Sequence, residues 1–340
     1  MAENPLSILN QYGVAITPDE QYLYIVNNQY YGITPYDSVY LYNLINEQFV
    51  AKITHDSFKE PTTATLSGRR VYITNSNSTT ITIIDTATNK VVKVIDEFKN
   101  PYRIVVSADG NTGFVCNYGD GLSLGTVSVV NLETFVIKKN IQVGVGPCNC
   151  ALSPDGKKLC VANYISKFIS IINTSSLIVV RTILLNNNSN PYNLNIDSNN
   201  YCYIMSVNPI FYHISVIDLS TDTLFLPYSS FFKQLDSIYG IVFPINKTLK
   251  QIYILSYNKN NNLSFIDINN GIPDLKFIQY KDIFDVEYIS TIKICPVVGN
   301  AILTYDKKFL YITTYGTKLS NTNNLVKLYG PTGPTGPTIL

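Results

Sequence analysis

Few side chains in this sequence have the types and spacing that chemistry needs. Cys148-x-Cys150 is the tightest pair of metal-binding donors, because residues two apart on a strand face the same way. Two thiolates alone do not complete a zinc site, and no Cys-x-x-Cys or His pair stands nearby. Asp282, Asp285 and Glu287 form an acidic cluster, for which a solvated loop is the simpler account, since calcium wants more oxygen ligands at fixed spacing. His55 and His213 stand apart, neither in a nucleophile motif, and there is no Gly-x-Ser-x-Gly or phosphate-cradling glycine loop. Asp85, Asp218 and Asp267 recur at the ends of apolar runs, where a carboxylate capping a turn suffices as explanation. No catalytic residue, metal ligand or cofactor site is assigned, and the expectation is a non-enzymatic protein. The alternative is a soluble enzyme of the metal-dependent hydrolase or lactonase kind, with a central metal held by carboxylates and a His.

Tyrosine is the other recurring feature. Tyr118, Tyr164, Tyr257 and Tyr315 each follow the same short apolar stroke, and Tyr30, Tyr31 and Tyr36 crowd one long loop. A ring of phenols around a mouth would bind a sugar or a peptide, since Tyr offers an apolar face and a polar tip. The competing account is that these rings pack inside and close the loops.

The strokes themselves are the elements that must position these groups. LYIVN (Leu23–Asn27), VYITN (Val71–Asn75), GFVCN (Gly113–Asn117) and LCVAN (Leu159–Asn163) are followed by CYIMS (Cys202–Ser206), IYILS (Ile252–Ser256) and LYITT (Leu310–Thr314). Their last residues lie 42 to 58 positions apart. A second stroke follows each, as in ITIIDT (Ile81–Thr86) and ISIINT (Ile169–Thr174). Turn chemistry such as SADGN and SPDGK precedes several copies, and Pro61, Pro101, Pro147 and Pro191 punctuate their entries. A period of about 40–50 residues with several strands per copy is the signature of propeller blades.

The stretches Val71–Ile95 and Leu159–Val180 resemble the YVTN β-propeller repeat family, and the likeness covers residues 13–329. It implies an all-β, seven-bladed propeller of four-stranded antiparallel blades. It implies little about activity, because this repeat occurs in surface-layer, cell-surface and periplasmic proteins of many kinds. The last copy stops without an outer strand, so residues 5–10 are expected to supply it and close the ring, leaving residues 1–329 as one domain.

Residues 330–340 form a tail of three Gly-Pro-Thr triplets starting at Gly330, Gly333 and Gly336. Glycine every third position suits the crowded axis of a collagen-type triple helix, although three triplets are too few to hold three chains alone. The tail resembles collagen-like proteins of spore surfaces and giant-virus fibres. Those particles are assembled inside a cell, so a protein on a spore exosporium or virion surface needs no secretion signal, and none is read at the N-terminus. The partners expected are proteins of a surface layer or fibre, a homo-oligomer (a trimer if the tail is used), and a carbohydrate or peptide on the loop face. A net charge of +1 with 14% charged residues argues against nucleic acid, and no apolar run is long enough to span a membrane. The five Asn-x-Ser/Thr triplets are read as coincidence in so Asn-rich a chain. An intracellular interaction scaffold, cytoplasmic and monomeric, is the remaining alternative.

Overall fold

A computed structural model of the chain describes residues 13–28, 37–185, 188–208 and 212–227, and beyond them the strands 237–242, 251–257, 263–269, 272–279, 297–303, 309–315 and 324–329. The described residues are all-β, as expected. They form six four-stranded sheets and one three-stranded sheet in chain order, each an antiparallel meander whose strands pair in sequence order. The fourth sheet is typical: Pro147–Leu152, Lys158–Asn163, Phe168–Asn173 and Ile178–Leu184. Residues 5–10, expected as the fourth strand of the last sheet, and the tail from 330 lie outside the described residues.

Each of the first five sheets buries both faces of its middle strands. In the fourth sheet Leu159, Cys160, Val161 and Ala162, with Ile169, Ile171 and Ile172, have no solvent exposure. Alternate residues go to different neighbours: Leu159 and Val161 pack with Phe114 and Cys116 of the third sheet, whereas Cys160 and Ala162 pack with Cys202 and Tyr203 of the fifth. Each large apolar side chain removed from water in this way contributes about 1.5–3 kcal/mol. The outer strands of the first four sheets are mostly exposed, but each keeps one isoleucine inside: Ile53, Ile95, Ile141 and Ile183.

The first strand of every sheet lies innermost. Each runs beside the first strand of the next sheet, and Val297–Leu303 of the last sheet lies beside Val14–Ile16 of the first. Tyr311 of the last sheet is buried in one cluster with Val14, Ile16 and Leu23. At the first junction the backbones nearly touch. Gly13 donates its N–H to the Thr62 carbonyl at 2.9 Å, and a Cβ on Gly13 would fall 2.1 Å from the Ala64 nitrogen. Only glycine fits there.

Three local devices repeat. At the hairpin between third and outer strands, an Asn or Asp side chain accepts the N–H groups two and three residues on, as Asn43, Asp85, Asn131 and Asn173 do. A left-handed residue closes each turn: Glu47, Asn89, Phe135 and Leu177 have φ of 55–60°. Asp85 and Asp218 therefore cap turns, as the sequence suggested, while the side chain of Asp267 lies outside the described residues. The second device is a register shift after the entry proline of the inner strands, at Pro61/Thr63, Pro147/Asn149 and Pro191/Asn193.

The third is the asparagine that ends the second strand. Asn75 donates to Thr82 Oγ1 at 3.0 Å, Asn117 to Ser128 Oγ at 2.7 Å and Asn163 to Ser170 Oγ at 3.0 Å, all within the core. Asn163 also accepts the Gly144 N–H at 2.9 Å, which ties the third sheet to the fourth. Replacing it by Ala would strand that buried N–H and the Ser170 hydroxyl, at about 1–3 kcal/mol for each unsatisfied group.

Two expectations follow. Asn163→Ala should lower the unfolding free energy in urea by about 2–4 kcal/mol, and a loss below about 0.5 kcal/mol would show that the staple is ornamental. Burial, the largest cause, raises the phenols of Tyr24 and Tyr42 from 10.0 to about 12. The fold favours the neutral phenol, so this stability is complete below the free value near 10 and is lost as pH rises through about 12. Native phenolate absorbance should accordingly show a late-titrating fraction. A single transition near the free value would contradict it.

Candidate functional site

In these meanders the loops after second strands and the connections between sheets emerge at one end, and the remaining turns at the other. The first end is the loop face on which the tyrosines were expected. Tyr118 and Tyr164 do sit there, directly after Thr112–Asn117 and Lys158–Asn163, but each is only 6% exposed. Both rings belong to the core shared by the third, fourth and fifth sheets, and Tyr118 packs on Tyr102 with centroids 5.4 Å apart. Burial pushes the Tyr118 phenol well above its ordinary value. Of the two accounts of these residues, packing between sheets describes this pair. Tyr257 and Tyr315 end their strands, with side chains outside the described residues, as are Tyr30, Tyr31 and Tyr36.

What the loop face displays instead is aliphatic. The loop after the third sheet's second strand is shaped by Asp120, whose carboxylate accepts the N–H groups of Leu122 and Ser123 at 2.8 Å, and by Gly119 and Gly121 at φ near 75°. It holds Leu122 88% and Leu124 53% exposed. Ile165 of the next sheet is 37% exposed and lies within 3.4 Å of where a Gly121 Cβ would be. These three form a small apolar rim above the buried tyrosines, suited to contact with a protein surface. The run Gly-Leu-Ser-Leu-Gly between turn residues was the signal for it.

The cysteine pair is corrected. Cys148 and Cys150 do not face the same way, because the register shift between Pro147 and Asn149 breaks the two-residue alternation. Cys148 packs toward Tyr192 and points its thiol at the Pro191 carbonyl at 3.5 Å, whereas Cys150 packs beside Phe114 and Cys116 of the third sheet. The two thiols therefore cannot share an ion. Cys116, Cys148, Cys150, Cys160 and Cys202 are all buried, and burial raises the Cys116, Cys148 and Cys202 thiols. His55 bonds Ser57 Oγ through Nδ1 at 2.7 Å in the connection between the first two sheets. Asp282, Asp285, Glu287, Gly330, Gly333 and Gly336 lie outside the described residues.

One residue that the sequence did not single out stands on the innermost layer. Arg103 occupies the position two after the entry proline, equivalent to Thr63, Asn149 and Asn193 in neighbouring sheets. Its register partner is Cys116, and no other described inner strand carries a charged residue. Its Nε is buried without a hydrogen-bond partner. Burial, opposed weakly by the Cys150 and Cys116 thiols, lowers its guanidinium from the ordinary value. Nearby, Asn149 donates to Asn193 Oδ1 at 3.2 Å, leaving Asn149 Oδ1 buried and unbonded.

No family model matches this chain, so the YVTN likeness rests on the quoted strokes. Antigen Lp49 of Leptospira interrogans (serogroup Icterohaemorrhagiae, serovar copenhageni, strain Fiocruz L1-130) is 24% identical over 141 residues, 38% of this chain. The chain spans about a third of that curated relative's length, 31%. Among solved structures, hydrazine synthase of Kuenenia stuttgartiensis superposes with a TM-score of 0.74 at 15% identity, covering 96% of this chain and 98% of that one. A chain of the mitotic checkpoint complex gives 0.69 at 12%, covering 94% and 90%. At such identities the likeness is one of fold. The chain has the architecture of these β-propeller proteins, repeated four-stranded antiparallel sheets arranged about an inner layer of first strands.

Proposed function

We propose that this chain is a non-enzymatic, adhesive or structural propeller of seven blades, displayed on a particle surface or fibre and binding protein partners through its loop face. The observation that carries this reading is the rigid apolar rim of Leu122, Leu124 and Ile165, held proud of a fully packed core. Exposed leucines on a loop fixed by Asp120 and two glycines cost solubility and gain nothing for the fold, so a partner surface is their physical use. A relative named as an antigen is compatible with surface display. In this reading residues 5–10 add the fourth strand to the last sheet and close the ring, and the Gly-Pro-Thr tail acts as an assembly element. The particle is of the spore or virion kind, assembled within a cell.

Native mass tests the assembly half of the proposal. The full chain should sediment as an oligomer, a trimer if the triplets pair, and a chain ending at Tyr329 should be a monomer. Oligomers in both would move assembly onto the propeller faces. Monomers in both would remove the tail from the account.

A further inference from the structure

We infer that Arg103 forms the floor of an anion site between the inner strands of the third and fourth sheets, one that takes a small carboxylate entering from the loop face. Arg103 is the third residue of Pro101–Val106, which enters from that face, so at about 3.3 Å per residue it lies roughly 7–10 Å below the rim. It keeps part of its surface in contact with solvent, yet its Nε is sealed and unbonded. The ion pairs among the described residues are Arg69–Asp85, Lys157–Asp155 and Lys158–Asp222, and Arg103 is in none of them.

Its neighbours Cys116 and Cys150 are buried thiols, and the equivalent positions on adjoining inner strands hold the uncharged Thr63 and Asn149. A deep cation with no counter-charge among the described residues has a cost that a bound anion removes, and low-dielectric walls strengthen its field. A guanidinium presents a planar fork that matches a carboxylate. One positive charge with neutral flanks suits a single carboxylate better than a phosphate dianion. The site is built by inner strands and not by loops, so it goes beyond the partner-binding reading and stands independently of it.

The chain has four arginines, Arg69, Arg70, Arg103 and Arg181, so arginine-labelled protein gives four Nε–H resonances. Arg103's is the one lost in Arg103→Lys; should that variant not fold, the sealed Nε identifies itself as the slowest to exchange with solvent. Titrating the full chain with sodium acetate at constant ionic strength should shift this resonance alone and saturably. Acetamide, which matches acetate in shape without its charge, and sodium chloride should leave it in place. The site is overturned if acetate does not move the resonance, if the shift fails to saturate, or if acetamide or chloride moves it as far.

Discussion

The structure depends on one constraint: the first five sheets are apolar on both faces. Leu159 and Val161 need the third sheet, and Cys160 and Ala162 need the fifth, so the fourth sheet has no stable existence between water layers. A linear stack would leave two end sheets with one such face exposed, at about 1.5–3 kcal/mol for each large side chain left in water. Bringing the ends together removes both faces at once. Tyr311 of the last sheet is buried in one cluster with Val14, Ile16 and Leu23 of the first.

Local chemistry makes each sheet fit that arrangement. Asx turns closed by a left-handed residue fix the outer hairpins, and the shift after the entry prolines bends each inner strand where sheets converge. The strand-ending asparagines join second to third strand through buried hydroxyls. The same bend decides what reaches the axis. It turns Cys148 and Cys150 to opposite sides, and it places Thr63, Arg103, Asn149 and Asn193 at one level of the inner layer.

Much of this was legible before any coordinates. Strands from Leu23 to Tyr329 announce themselves as β-branched and aromatic runs between turn residues, and their spacing marks the copies. Less legible was anything that depends on which way a side chain points. Strict alternation put both thiols of Cys148-x-Cys150 on one side, and a bulge leaves no mark in composition. Tyr118 and Tyr164 could be picked out as a set, but their burial follows from packing between neighbouring sheets, which spacing does not encode. Arg103 carried a signal, the charged residue two places after an entry proline, yet its meaning requires knowing that this strand is innermost.

We propose that the two-faced sheets close on themselves, with residues 5–10 completing the last sheet. Native-state hydrogen exchange on a chain lacking residues 1–10 tests it most directly. The account predicts lost protection in Phe309–Tyr315 and Asn324–Tyr329 and a drop of several kcal/mol, on the order of one edge strand's packing, in unfolding free energy. Unchanged protection in those strands, with unchanged stability, would contradict closure by the N-terminal segment.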